Sequence, residues 1–173
     1  MTAADILKAL REAAGLSLQD VCAGGAGVSP NHLGRLERGA RRLSPLVFGR
    51  VLQAIVKQRE KRINREAKDD VLWQKAQSAK RINIKRLRIA ANATQEEIAA
   101  ASGVSQPTIS AIETGKVKGT PALQSAIIAG IHACRQAKVE QRAARDLRWN
   151  EVLKQAGYAT DANGKGATNA ATR

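Results

Sequence analysis

The chain has 173 residues, and 29 Lys and Arg against 15 Asp and Glu leave a net charge of +14. That length allows one medium domain or two small ones, and aromatics at 2% are few for a β-sandwich or barrel. The apolar share of 43% is mainly Ala, Leu, Ile and Val, which suits small helical units, and the positive excess points to a polyanion partner, nucleic acid first.

Several classes drop out. The start, Met1-Thr2-Ala3-Ala4-Asp5, lacks the basic stretch and apolar run of a secretory signal. The longest apolar-looking segment, 122–134, is broken by Gln124 and Ser125 and is too short to cross a bilayer. Cys22 and Cys134 make neither a metal-ligand spacing nor a disulfide framework. A soluble, cytoplasmic protein without membrane contact is expected. His32 and His132 stand a hundred residues apart with no recurring nucleophile or carboxylate cluster, and Gly24-Gly25-Ala26-Gly27 has no Lys-Ser/Thr after it. No enzyme, metal or cofactor is expected.

The chain matches itself. Leu10-Arg11-Glu12-Ala13-Ala14 pairs with Leu87-Arg88-Ile89-Ala90-Ala91 at an offset of 77. After one extra residue near Ala26 the offset is 76: Gly27-Val28-Ser29 pairs with Gly103-Val104-Ser105, and Leu36-Glu37-Arg38-Gly39 with Ile112-Glu113-Thr114-Gly115. Arg59 then meets Arg135, Ala67 meets Ala143, Asp70 meets Asp146 and Trp73 meets Trp149. One unit of about 76 residues is therefore duplicated, over roughly 5–78 and 82–155.

Helix punctuation repeats in chain order. A first helix ends at Gly15 or Asn92, both tolerant of the left-handed conformation. Ser17-x-x-Asp20 and Thr94-x-x-Glu97 open a second as capping boxes. Ser29-Pro30 and Ser105 open a third after a tight turn at Gly27 or Gly103, and Gly39 and Gly115 close it. Ser44-Pro45 and Thr120-Pro121 open a fourth that carries on through Ile55 and Ile131. Short second and third helices joined by a tight turn are the helix-turn-helix arrangement. Val21, Leu33, Leu36, Ile98, Ile109 and Ile112 fall on core positions by helical spacing.

Thr94-Gln95-Glu96-Glu97-Ile98-Ala99, Gly103-Val104-Ser105 and Ile109-Ser110-x-Ile112-Glu113-x-Gly115-Lys116 resemble the Xre/Cro, lambda-repressor-like helix-turn-helix family. The first copy resembles it more loosely, through Gly15-Leu16-Ser17, Gly27-Val28-Ser29 and Leu33-x-x-Leu36-Glu37-x-Gly39. The resemblance covers about 50 residues of each unit. It implies an all-α fold of two tandem lambda-repressor-like helix-turn-helix domains, each followed by a longer charged helix. The expected layout is a first domain over 1–56, a charged helix or linker over 57–80, a second domain over 81–132, a charged helix over 133–158 and a disordered tail over 159–173.

In the family the third helix enters the major groove. That resemblance assigns base contacts to Gln106, Pro107, Thr108, Ser110 and Ala111 in the second copy. In the first copy it assigns them to Asn31, His32 and Arg35, with Pro30 and Gly34 at matching positions. Gln106 and Asn31 suit adenine and Arg35 suits guanine, although Arg35 is as well placed to meet a phosphate. Phosphate contacts fall to Gln95, Ser105, Lys116 and Lys118, and to Arg38, Arg41 and Arg42. The first copy departs from the pattern by placing Leu18 where the second has Gln95. Arg11 with Glu37, and Arg88 with Glu113, resemble the family's internal ion pair between first and third helices.

The charged segments place Val56, Ile63, Ala67 and Val71 on one stripe, and Val139, Ala143 and Leu147 on another. Such stripes pack on their own domain, on the twin or in a homodimer; Trp73 and Trp149 either anchor that contact or lie in a core. Double-stranded DNA is the expected partner, and the reading is a sequence-specific transcriptional regulator, a repressor before an activator, of a phage, plasmid or integrative element. A DNA-architectural or DNA-transfer accessory is the first rival. A protein whose first domain binds a regulatory partner is the second.

Overall fold

The computed structural model describes residues 2–79, 82–159 and 168–169. The fold is all-α, with helices α1 (Ala3–Ala13), α2 (Leu18–Ala23), α3 (Pro30–Glu37), α4 (Pro45–Gln77), α5 (Ile84–Ala90), α6 (Gln95–Ser102), α7 (Gln106–Glu113) and α8 (Pro121–Gln155). A two-residue antiparallel pairing joins β1 (Tyr158–Ala159) to β2 (Thr168–Asn169). The expected disorder of the tail otherwise falls outside the described residues.

The repeated punctuation forms as local chemistry requires. Ser17 and Asp20, and Thr94 and Glu97, each satisfy two orphan amides reciprocally at the start of α2 and α6. Gly15 and Asn92 take φ of +61° and +52° where α1 and α5 end. One departure lies between the second and third helices. The second copy turns tightly over residues 103–105, but the first uses residues 24–29, because Gly24-Gly25 stops α2 early.

The fourth helix and the charged segment after it form one continuous helix in each copy, since no proline or glycine interrupts residues 50–77 or 131–155. These long helices cross the boundary between two compact units. One unit takes the chain up to Ile63 and from Arg142 onward; the other takes Asn64–Gln141. Each unit is therefore a helix-turn-helix head finished by the far end of the other copy's helix.

In the first unit, Leu7, Leu10, Val21, Leu33, Val51 and Ile55 are buried together with Trp149, Val152 and Leu153 from the end of α8. Arg59 bonds Asp146 at 2.8 Å and lays its guanidinium 4.6 Å from the centre of the Trp149 ring. In the second unit, Leu87, Ile98, Ile109, Ile127 and Ile131 are buried with Trp73 from the end of α4. Arg135 pairs with Asp70 and stands 5.8 Å from the centre of the Trp73 ring. Arg62 donates to the carbonyls of Ala14 and Gly15, and Lys138 donates to the carbonyl of Asn92, so each long helix also covers the end of the first helix beneath it.

Of the apolar stripes read from the sequence only the start of the first one packs, with Val56 partly buried against the core and Ile63 half-buried. Val71, Val139 and Leu147 are exposed, Leu147 to 72%. The edge that packs carries Arg59 and Arg135 beside the tryptophans, with side-chain exposures of 12% and 7%. Counting apolar residues passes over an arginine whose stem is buried and whose head is stacked and paired. Both tryptophans are core residues, at 8% and 3% exposure.

Trp149→Ala is expected to cost about 3–5 kcal/mol, the range for deleting a large buried aromatic. The loss should appear in urea unfolding as a lower midpoint. An unchanged midpoint would mean that the indole closes no core.

Candidate nucleic-acid interface

Both heads are locked by one ionic fork. Arg11 donates from Nε and Nη2 to the two carboxylate oxygens of Glu37 at 2.7 and 2.8 Å, and from Nη1 to the carbonyl of Leu16. Arg88 repeats this on Glu113 at 2.7 and 2.9 Å and on the carbonyl of Ala93. Two parallel bonds fix direction as well as distance, so each fork sets the third helix against the first.

The second fork has an extra member. Gln95, at the start of α6, donates from Nε2 to Glu113 at 2.8 Å. Burial pushes the Glu113 carboxyl up, but the hydrogen bonds from Arg88 and Gln95 outweigh it and hold the group below its ordinary range. Gln95 is half-buried and oriented by this bond, a link that the motif alone did not disclose.

In the first copy Leu18 replaces Gln95 and packs partly buried against the core. A Cβ built on Gly34 would lie 3.4 Å from its side chain, so the missing side chain on α3 makes room for Leu18. Gly34 is buried, and of the first copy's matched positions it does not face outward.

Around it the polar positions gather. Ser29 caps α3 through the His32 amide, and Ser29, Asn31, His32, Arg35 and Arg41 line a small cavity of about 140 Å³. Asn31, Arg35, Arg38, Arg41 and Arg42 are exposed, and His32 is half-buried.

On the second copy Gln106 and Pro107 are exposed in the first turn of α7, whereas Thr108, Ser110 and Ala111 are half-buried. The hydroxyls of Ser105 and Thr108 stand 2.7 Å apart, so each already has a local partner. Ile109 points inward and is fully buried. Lys116 and Lys118 are exposed beyond the end of α7.

A family model described as helix-turn-helix matches residues 84–128, and one described as helix-turn-helix domain matches residues 3–56. The chain carries two tandem Xre-like helix-turn-helix domains. Nothing matches among curated proteins or solved structures. Helix-turn-helix domains make this a DNA-binding protein of regulatory kind, with α2–α3 and α6–α7 as its paired helices. No described helix is long and apolar enough to cross a membrane.

Removing one partner of the second fork leaves a partly buried charge without compensation, so Glu113→Ala should cost about 3 kcal/mol. Acid should act in the same direction. Glu113, Glu97 and Asp20 are all held low in the folded chain, Glu97 by the amide of Thr94 and then by Lys138, and Asp20 by the hydroxyl and amide of Ser17. Their contribution is therefore complete above the ordinary carboxylate range and is lost as pH falls from that range through their lowered values. Urea midpoints should drop between roughly pH 5 and pH 3. A midpoint flat across that window would contradict the assignment.

Proposed function

We propose that this tandem helix-turn-helix protein reads specific double-stranded DNA sequences through the major groove and regulates transcription. The reading extends to repression within a phage, plasmid or integrative element. The observation that carries it is one frame presenting two chemistries: matched forks hold α3 and α7, yet Asn31, His32 and Arg35 stand where the second copy has Pro107, Thr108 and Ala111.

Base contacts are assigned to Gln106, Pro107, Thr108, Ser110 and Ala111, and to Asn31, His32 and Arg35. Gln106 is exposed at the helix start, where an amide can meet adenine through two bonds. Phosphate contacts are assigned to Gln95, Ser105, Lys116, Lys118, Arg38, Arg41 and Arg42, with the net charge of +14 behind them.

A second reading has one observation in its favour. Leu18 in place of Gln95 removes a polar group from the first head, which suits a regulatory partner on that head instead of DNA. Selection of bound duplexes from a random pool, at near-physiological salt, separates the readings. Two unlike half-sites are the expected winner. A single half-site favours the partner-binding first head, and salt-sensitive binding without enrichment favours an architectural or transfer role.

Gln106→Ala should relax preference at one base position by about 1–3 kcal/mol. Lys116→Ala should weaken all duplexes alike and flatten the salt slope by about one unit. Competition assays in which both variants lose affinity uniformly would remove Gln106 from base readout.

A further inference from the structure

We propose that the second unit carries a docking groove for an acidic segment of a partner protein that inserts aliphatic side chains. The groove lies between the end of α4 and α5. Leu72, Ala76, Ile89 and Ala90 give it an apolar floor, and its volume of about 320 Å³ is within the range of natural binding clefts. Leu72 and Ile89 are 52% and 57% exposed.

The rim is basic. Lys75 and Arg86 line the groove, and among the described residues no acidic one does and neither side chain forms an ion pair. An apolar floor between two uncompensated cations fits aliphatic side chains flanked by carboxylates.

The internal repeat shows that the fold does not require this surface. In the first unit the positions of Ile89 and Leu72 hold Glu12 and Arg148, whose charged atoms stand 4.0 Å apart. Lys75 is matched by Glu151, Arg86 by Ala9, and Ala76 by Val152, which is buried. One unit closes this place with bulk and opposite charges, while the other leaves it open, apolar and basic. Exposing two large aliphatic side chains carries a hydration cost that folding does not explain.

Other occupants fit poorly. A second copy brings a net charge of +14 to a basic rim. The chain's own 160–173 segment has one acid, Asp161, and no Leu, Ile, Val, Phe or Met. None of the groove residues is among those assigned to DNA, so a partner there leaves that assignment intact.

The test titrates the isotope-labelled full chain with two synthetic amphipathic peptides, one of Leu and Glu and one of Leu and Lys. The Leu/Glu peptide should give saturable shifts centred on residues 71–90, with the Leu/Lys peptide weaker by about tenfold or more. Leu72→Arg with Ile89→Glu copies the first unit's ion pair, and should weaken the acidic peptide by about tenfold while leaving DNA affinity unchanged. Lys75→Glu with Arg86→Glu alters only exposed side chains and should invert the peptide preference, which keeps the test open if the first variant does not fold. The proposal is overturned if neither peptide saturates, if both bind alike, or if the substitutions leave binding unchanged. A concentration-dependent dimer abolished by Leu72→Arg with Ile89→Glu would also overturn it, by making a second copy the occupant.

Discussion

An arginine stacked on a tryptophan from the other copy closes each helix-turn-helix core. Arg59 holds Asp146 and Trp149, and Arg135 holds Asp70 and Trp73. The consequence is thermodynamic. The first unit's core is assembled from segments separated by the whole of residues 64–141, so its stability includes the entropy of closing that long loop. Contacts of such sequence separation also form late and slow folding relative to an ordinary small helical domain. The two copies are thus obligate companions, because neither head holds within its own repeat the tryptophan that finishes it.

With the cores closed, the forks Arg11–Glu37 and Arg88–Glu113 give both heads the same internal geometry. What differs is carried on that shared frame. The second head ties Gln95 into its fork, and the first exchanges that amide for Leu18 packed over Gly34. A longer connection over residues 24–29 further separates the first head from the tighter second one. One duplicated scaffold thereby carries two different exposed surfaces, which is the property a reader of unlike half-sites needs.

Much of this was legible in residues alone. Caps at Ser17, Ser29 and Thr94, the left-handed Gly15 and Asn92, and the cores around Leu33 and Ile109 follow from local chemistry and spacing, and both forks follow from the resemblance to the Xre/Cro family. The crossing did not follow. Self-comparison aligns Trp73 with Trp149 and Arg59 with Arg135, but it reports equivalent positions and not which copy supplies each partner. The stripes misled for a related reason: polarity ranks Arg59 and Arg135 as surface residues, whereas their stems and stacked heads make them part of the buried edge. The resemblance matches Gly34 to an outward position, whereas the neighbouring Leu18 and Arg38 side chains cover it.

The crossing is tested most directly by ending the chain at Gln141 and following amide hydrogen exchange. Removing residues 142–173 takes away Trp149, Val152 and Leu153, which lie in the first unit. Protection should collapse at Leu7, Val21 and Leu33 and persist at Ile98, Ile109 and Ile127. Loss confined to the second copy, with the first left protected, would mean that each long helix finishes its own head, and the crossed arrangement would be wrong.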